Sequence, residues 1–475
     1  MNFEAVIGLE IHVEMRTKSK MFSAAPNSFS REPNTQTALL DMAYPGAMPI
    51  VNKRAVINAI RVANALHMEI DHELHFDRKN YFYSDLPKGY QITQQFRPIG
   101  KNGYLDVVGK DGKVKRISIE RIHLEEDTCK QLHLVDCTLL DYNRAGVPLV
   151  EIVSKPEIRN GTEAMHFVEA IRNIVLYSGT SDGKMEEGSL RCDVNISLRP
   201  YGSSEFGTKV EIKNINSLKF IEQALDYEIE RQSASLLSGI PIRQETRRFD
   251  EATGQTVLMR VKTDDVDYKY FPEPNIVPIP LSEEFIEEAI RTCPELYDAK
   301  KERYLAKGLT AIDASILLSD ILMSRYFETG LSLAKNAKTL ANFLIVEVNE
   351  YLNKNEISIA HFPLEASTIA EISNLQEEGF THKQCVDILQ YCLEKKVSPK
   401  EAQQALRIEK QVVDEGVVLM AVKAVLDANP QSIADIKAGK DRAKGFLVGQ
   451  VMKAAHGKLN PSAIAKVMKE ELKKR

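Results

Sequence analysis

The ten residues Val6 to Met15, VIGLEIHVEM, place acidic and imidazole side chains at every second position. In an extended strand, residues two apart share one face, so Glu10, His12 and Glu14 would lie opposite an apolar row. The Cα atoms of Glu10 and His12 would be roughly 6.5 to 7 Å apart, which lets both side chains reach one divalent cation or one polar substrate. A half-solvated strand with a charged outer face is the alternative, and this segment alone leaves both interpretations open.

A second alternating segment, RISIERIHLEED at 116–127, ends in three consecutive acids. If its apolar residues point inward, His123, Glu125 and Asp127 share the other face. Adjacent carboxylates repel one another, so a cation or basic partners should lie near Glu125 and Glu126. A solvated turn would explain the same acids.

Glu151 is the single carboxylate in an otherwise apolar strand within DYNRAGVPLVEIVSKPEI, residues 141–158. A buried carboxylate without a partner is costly, so we expect either a metal ion or a fixed arginine beside it. Arg144 is one candidate for that arginine. A purely structural ion pair is the alternative to a functional site.

Two further strands continue the pattern towards the middle of the chain. The segment 191–199 predicts a polar row that contains Asp193, and its expected hairpin partner, 208–214, places Lys209, Glu211 and Lys213 on one face. Before them, the glycine-rich loop that contains Ser189 could bind phosphate through backbone N–H groups. Its spacing matches neither GxxxxGK[ST] nor GxGxxG, so the loop is a weak signal.

The segment 75–95 interleaves cationic and aromatic residues, among them Lys79 and Lys88. Such a mixture suits phosphate and base contacts, and it equally suits an ordinary loop held by its tyrosines.

The acidic positions together predict a cluster carried by strands around an oxygen-preferring divalent ion, most simply Mg²⁺. A cluster of this kind suits phosphoryl transfer. Its members are Glu10, His12, Glu125, Glu151, Asp193 and Glu211.

Composition limits the class of protein that carries this cluster. The chain has 475 residues, 43% hydrophobic and 27% charged, and no apolar run approaches the roughly 18 residues of a membrane span. The acidic beginning, MNFEAVIGLE, has no signal-peptide pattern, so we expect the cytoplasm. The six cysteines lack CxxC spacing, which argues against a zinc site or a disulfide framework, and we expect reduced core thiols.

The order of elements predicts an α+β domain followed by helices. Residues 1–281 mix strands with helices, expected over Lys53 to Leu66, Gly161 to Tyr177 and Leu218 to Leu237. From Ser282 onward helices dominate, and a softer boundary near 406 divides a helical domain, 282–406, from a small helical module, 407–475. From Lys437 onward eleven Lys and Arg stand against three Asp and Glu, which suggests contact with a polyanion or simply an exposed helical surface.

Several long segments resemble the B subunits of the aspartyl/glutamyl-tRNA amidotransferases, over essentially the whole chain. The matching segments are GLEIHVE at 8–14, RKNYFYSDLPKGYQI at 78–92, LDYNRAGVPLVEIVSKPEI at 140–158, EEGSLRCDVNIS at 186–197 and DYKYFPEP at 267–274. The resemblance is most specific in the segment 140–158. Ser84, Thr128 and Cys129 depart from the family pattern and leave the local loop geometry open.

The resemblance implies a cradle-shaped catalytic domain, a helical domain and a C-terminal module that docks tRNA. It implies a ligase reaction in which ATP phosphorylates the side-chain carboxylate of Glu or Asp on a misacylated tRNA. Ammonia from an amidase subunit would then displace the phosphate, and a small third subunit would brace the pair. The absence of a Ser/Lys amidase motif in this chain agrees with ammonia being made elsewhere.

The resemblance also implies roles for individual residues. Metal binding falls to Glu10, His12, Glu125 and Glu151. Catalytic roles fall to Glu125, Glu126, Asp193 and Glu211. Nucleotide binding is expected of Lys79, Lys88, Arg144, Ser189 and Arg191. Two alternatives stay open, namely a non-catalytic tRNA-binding adaptor and a Mg²⁺-dependent nuclease, because acid clusters also serve phosphodiester cleavage.

Overall fold

In the computed structural model, the described residues are 3–28, 30, 32–261, 267–409, 415–437, 442–454 and 461–474. They fall into two units, Met1–Tyr297 and Asp298–Arg475. The strands lie in the first unit: β1 (Phe3–Glu14), β2 (Glu69–Ile70), β3 (Glu73–Leu74), β4 (Asp77–Asn80), β5 (Tyr90–Thr93), β6 (Gly100–Val108), β7 (Val114–Glu126), β8 (Lys130–His133), β9 (Thr138–Asp141), β10 (Pro148–Ser154), β11 (Leu190–Pro200), β12 (Val210–Ile215), β13 (Glu245–Asp250), β14 (Gln255–Val261), β15 (Phe271–Pro272) and β16 (Ile279–Pro280).

A nine-stranded sheet, in the order β14-β13-β12-β11-β1-β10-β7-β6-β2, organises the first unit. Its pairs are antiparallel except β12 with β13, which are parallel. Antiparallel sheets commonly bury one face and leave the other polar, and β1 follows this rule. Its apolar row, Ile7, Leu9, Ile11 and Val13, is fully buried, while the intervening residues are only partly buried.

Three helices bury the apolar face of the sheet: α1 (Lys53–Ala65), α2 (Gly161–Tyr177) and α3 (Leu218–Leu237). Each begins at a polar cap, because the side chains of Asn52, Asn160 and Ser217 accept backbone N–H bonds from the first turn. The predictions of these three helices are confirmed. With one face covered by helices, the functional groups of the sheet collect on the other.

Small sheets and hairpins surround the main sheet. Strands β15, β4 and β5 form one sheet, β16 pairs with β3, and β8 pairs with β9. The proline-containing segment after β14 supplies only the two-residue strands β15 and β16, because proline cannot donate a hydrogen bond to a sheet. Its part at 262–266 lies outside the described residues.

Near the end of the first unit is helix α4 (Glu283–Arg291), which is capped by the side chain of Ser282. Beyond it only helices are described, which confirms the predicted fold class of an α/β region followed by helices. They are α5 (Tyr297–Ala306), α6 (Ala311–Leu318), α7 (Ile321–Leu331), α8 (Ala337–Phe343), α9 (Asn349–Lys354), α10 (Ala366–Glu377), α11 (His382–Lys395), α12 (Pro399–Leu406), α13 (Glu415–Ala428), α14 (Pro430–Lys437), α15 (Arg442–Ala454) and α16 (Pro461–Lys474), with a π-helical turn at 344–348 and a 3₁₀ turn at 359–361.

The last helices share a small apolar core of their own. Val418 and Val422 of α13, Leu447 of α15, and Ile464 and Met468 of α16 are buried in it. Helix α16 begins at Pro461, a residue that suits the first turn of a helix, and position 460 lies outside the described residues. A separate C-terminal module stays a prediction.

The cysteines are free thiols, but the expectation that all of them are core residues is wrong for one. Cys137, in the turn between β8 and β9, is exposed, and Cys293 is partly buried. The other four are buried. Among the described helices, none combines the length and apolar character needed to cross a membrane.

Candidate metal centre

Strand register brings the predicted acidic positions together on the polar face of the sheet. His12 of β1 lies opposite Glu151 of β10, and Glu151 lies opposite His123 of β7. On the same strand β7, Glu125 is two residues from His123 and therefore shares its face. Three distant segments of the chain thus contribute adjacent side chains.

One ligand atom from each of His12, Glu125 and Glu151 lies within 4.8 Å of the others. The Nε2 of His12 is 3.6 Å from Oε1 of Glu125 and 3.6 Å from Oε2 of Glu151. We call these three residues the metal trio. The structure therefore brings together three of the four predicted metal ligands.

His123 is a member of the site that the sequence reasoning did not select. Its Nε2 lies 2.9 Å from Oε2 of Glu151 and 3.6 Å from Oε2 of Glu125, and the residue is buried. It shares the polar face with Glu125 in the alternating pattern of β7, which is the signal that could have identified it. We expected a metal or an arginine such as Arg144 beside Glu151, whereas the basic partner in the structure is His123.

The charges of this cluster reinforce one another. Burial alone would lower the pKa of His123, but the negative charges of Glu151 and Glu125 outweigh burial and raise that pKa to about 9. Burial raises the pKa of Glu151, yet His123 and then His12 outweigh it, so the pKa lies well below its usual range. Glu151 is therefore an anion, as a carboxylate that binds a metal ion must be.

Glu10, the fourth predicted ligand, is not in the metal trio. Its Oε1 accepts a 2.9 Å hydrogen bond from Nδ2 of Asn195, and it lies opposite Asp193 across the β1 and β11 pair. Burial and then the charges of Glu151 and Asp193 raise its pKa. Glu10 is thus close enough to the cluster to sense its charge, and its role as a ligand stays a prediction.

Asp193 and Glu211 form a second acidic group that contains a lysine. The Nζ of Lys213 is 2.6 Å from Oδ2 of Asp193 and 3.4 Å from Oε1 of Glu211. Thr246 donates a 2.8 Å hydrogen bond to the other oxygen of Glu211. Both predicted catalytic acids are therefore held by partners.

The two lysines predicted to bind nucleotide have different environments. Lys79 is on β4, where its Nζ lies 5.0 Å from the ring centre of Tyr268. Burial lowers the pKa of Lys79, but the charge of Glu125 and other nearby groups outweighs it, so the net shift is upward. Lys79 is therefore a cation whose charge interacts with the carboxylates of Glu125 and Glu151 in the metal trio.

Lys88 and Glu126 are paired with each other in a buried contact. The Nζ of Lys88 is 2.7 Å from both carboxylate oxygens of Glu126. Glu126 also accepts a 3.0 Å bond from the backbone N–H of Ile92, which joins β5 to the end of β7. This arrangement stabilises the small sheet beside the site.

Arg144 and Arg191 converge on one carboxylate, that of Asp127. The Nη2 of Arg191 is 2.6 Å from Oδ2 of Asp127, and Nε of Arg144 is 3.6 Å from the same atom. Arg144 also donates to the carbonyl oxygens of Thr128 and Cys129. The two arginines predicted to bind nucleotide therefore lie together at the end of β7.

Ser189 lies near these arginines, at the start of β11. Its Oγ donates to Asp182 and accepts a 3.0 Å bond from the backbone N–H of Lys184. Ser189, Arg144 and Glu14 line one cavity of about 660 Å³. Burial and then the charge of Asp127 raise the pKa of Glu14 to about 7.

The metal trio fits a divalent cation by its chemistry. Two carboxylates suit Mg²⁺ or Mn²⁺, and the imidazole of His12 suits transition metals better than Mg²⁺. The acids come from rigid neighbouring strands, which fixes their separation. The three side chains can therefore hold one ion without rearrangement of the backbone.

Comparisons with known proteins identify the family to which the chain belongs. Residues 5–287 match the family model described as "GatB/GatE catalytic domain", and residues 325–472 match the model described as "GatB domain". The chain belongs to the family of amidotransferase B subunits. The predicted family, and with it the predicted enzyme class of an amidotransferase of the ligase type, are confirmed.

Individual members of this family are similar to the chain from end to end. The aspartyl/glutamyl-tRNA(Asn/Gln) amidotransferase B subunit of Staphylococcus carnosus (strain TM300) is 50% identical over 484 residues, with 100% of each chain covered. The proteins of the same name from Staphylococcus aureus (strain MRSA252) and Staphylococcus saprophyticus subsp. saprophyticus are 49% identical with the same coverage. The similarity therefore includes both the sheet unit and the helical unit.

Proposed function

We propose that this chain carries out the ATP-dependent amidation of Asp or Glu esterified to tRNA, as one subunit of a complex. The relatives are named as subunits of an aspartyl/glutamyl-tRNA(Asn/Gln) amidotransferase, which supports a multi-subunit assembly and these two substrates. Ammonia would come from a partner amidase subunit through a channel, and a small third subunit would brace the pair. The basic C-terminal helices are the part of the chain that we assign to tRNA binding.

The reaction needs two steps because a carboxylate is a poor electrophile. In the first, an oxygen of the side-chain carboxylate attacks the γ-phosphorus of ATP, the bond to the β-phosphate oxygen breaks, and ADP leaves. In the second, the lone pair of ammonia attacks the acyl carbon, the bond to the phosphate breaks, and the nitrogen loses a proton. The products are the amide, ADP and phosphate.

We assign Mg²⁺ to the metal trio of His12, Glu125 and Glu151. When bound, the ion supplies positive charge that offsets the meeting of a phosphate and a carboxylate. Lys79, whose charge interacts with those of Glu125 and Glu151, contributes a further positive charge near the metal trio. Glu10 of β1, Asp193 of β11 and Glu211 of β12 extend this centre to one side as the remaining acids of the proposed active site.

We propose nucleotide contacts for Arg144, Arg191 and Ser189, since two of them line the cavity of about 660 Å³ and the third shares Asp127 with Arg144. Lys88 and Glu126 form an ion pair with each other, and Glu126 also binds the backbone of β5. We therefore propose that these two residues position β5 against β7 and do not contact the substrate. The observation that carries the whole proposal is the metal trio on the sheet face of a chain that is 50% identical to an amidotransferase B subunit over its full length.

The test is conversion of labelled Glu or Asp on tRNA into its amide by the assembled complex with glutamine, ATP and Mg²⁺. Glu151→Gln should lower the rate by a factor on the order of 100, the scale of losing one electrostatic contact to a transition state. The control is Glu120→Gln, the same substitution at an exposed position of β7, which should leave the rate unchanged.

Each alternative predicts a different result in this assay. Normal amide formation by a folded Glu151→Gln variant would refute the proposed centre and favour a non-catalytic tRNA-binding adaptor. Shortening of the tRNA in Mg²⁺ without ATP would favour a nuclease. Loss of amide formation in the Glu151→Gln variant, with the tRNA left intact, supports the proposed function.

A further inference from the structure

The second acidic group on the sheet face already contains a fixed positive charge. Lys213 of β12 reaches Asp193 of the neighbouring strand β11 at 2.6 Å and Glu211 of its own strand at 3.4 Å. Thr246 of β13 fixes the far oxygen of Glu211 at 2.8 Å. The ammonium group therefore lies between two carboxylates whose orientations are set by three adjacent strands.

This group is continuous with the metal trio through Glu10. Glu10 lies opposite Asp193 in the β1 and β11 register, and it senses the charges of both Asp193 and Glu151. Without the ammonium of Lys213, the buried Glu211 and the partly buried Asp193 would be two anions beside a third, Glu10. Oxygen ligands in that arrangement attract divalent cations.

Many phosphoryl-transfer sites use two cations, one of which binds the attacking oxygen and the other the leaving oxygen. We propose that Lys213 is the built-in second cation of this centre: its Nζ takes, between Asp193 and Glu211, the place that a second divalent ion would otherwise occupy. Its part in phosphoryl transfer rests on the proposed function, whereas its occupation of a cation site does not. With Lys213 as one of the two cations, the active site needs only one dissociable metal ion, which binds at the metal trio.

The contacts of Lys213 with Asp193 at 2.6 Å and with Glu211 at 3.4 Å hold its ammonium group in place. A lysine in this position cannot dissociate, so the positive charge is present before substrate or metal arrives. It would also exclude a second ion by direct repulsion.

The experiment measures Mn²⁺ bound per full-length chain by equilibrium dialysis, with electron paramagnetic resonance of the bound ion. Lys213→Met should bind one more Mn²⁺ than the parent, whereas Lys213→Arg should bind the same number. Adding Asp193→Asn to Lys213→Met should abolish the extra ion. Lys115→Met is the control, because Lys115 pairs with a single carboxylate, Glu163 at 2.7 Å, away from this group. The Lys115→Met variant should bind the same number of Mn²⁺ ions as the parent.

An unchanged Mn²⁺ count in a cooperatively melting Lys213→Met protein would overturn the inference. If that variant does not fold, Lys213→Gln keeps a hydrogen-bond donor to Asp193 while removing the charge, and the same gain is required of it. A different result would count against the proposed function. If the parent protein binds no Mn²⁺ and forms no amide, the metal trio is not a metal site. A gain of one ion on removing Lys213 would still support the inference in that case.

Discussion

His123 is expected to hold its proton well above neutral pH, and its replacement should remove a pH-dependent part of the protein's stability. The imidazole is buried, and its Nε2 is 2.9 Å from Glu151 and 3.6 Å from Glu125. These two acids raise its pKa from 6.5 to about 9 in spite of burial. The folded protein therefore binds this proton more tightly than the unfolded chain does.

The sign and size of the effect follow from this difference. A group whose pKa is raised on folding stabilises the fold fully below its unfolded pKa, here 6.5. The stabilisation is then lost as the pH rises through about 9. At roughly 1.4 kcal/mol for each tenfold change in proton affinity, the loss amounts to about 3 kcal/mol.

The assay compares the parent with His123→Gln, which keeps a hydrogen-bond donor but cannot carry the charge. Urea unfolding of both proteins between pH 6.5 and 9, in chelator, should show the loss of about 3 kcal/mol in the parent alone. Glu14, whose pKa of about 7 falls in the same range, is present in both proteins and cancels in the difference. Histidine-selective NMR of the parent gives the pKa directly. Equal pH dependence in the two proteins, with an NMR pKa at or below 6.5, would refute the reasoning.

Two further predictions concern other parts of the chain. Lys20→Met should destabilise the protein by about 3 to 5 kcal/mol, because it leaves the buried carboxylate of Asp41 without the ammonium 3.1 Å away. The exposed pair of Lys113 and Asp111 gives the control, since Lys113→Met should cost less than about 1 kcal/mol in the same urea titration. Deleting residues 410–475 removes the basic segment that begins at Lys437, and it should weaken tRNA binding by about ten- to a hundredfold, with a shallower salt dependence in filter-binding measurements. Unchanged affinity and salt slope would show that tRNA is bound elsewhere.

Local patterns were sufficient to predict the elements that carry the site. The alternation in β1 separated Glu10 and His12 from the buried row because residues two apart in a strand share a face, whatever the strand pairs with. Helix α2 was predicted with the observed bounds, since a run of apolar residues at helical spacing follows the capping residue Asn160. These are properties of short segments, and a single sequence contains them.

Partners across the sheet could not be predicted in the same way. Arg144 was a reasonable candidate for the neighbour of Glu151, seven residues away along the chain, but Arg144 lies against Asp127 instead. His123 became the neighbour because β10 pairs antiparallel with β7 in a register that sets Glu151 opposite it. Register depends on contacts between segments far apart in sequence, and a shift of one residue would turn Glu151 to the apolar face. The pairing of Lys88 with Glu126 likewise joins segments far apart in the sequence.

The kind of positive partner at each carboxylate indicates where a divalent ion binds. Several acids near the sheet face are contacted by lysine or arginine, and these pairs are Glu126 with Lys88, Asp127 with Arg191, and Asp193 with Lys213. Within 4 Å, the ion-pair partners of Glu125 and Glu151 among the described residues are histidines only. Lysine and arginine hold their protons at all ordinary pH values, so they neutralise an acid permanently. An imidazole can give up its proton and become a metal ligand itself. A divalent ion can therefore replace the positive charge at Glu125 and Glu151 and gain His12 as a third ligand, whereas at the other acids it would have to displace a bound cation and gain nothing.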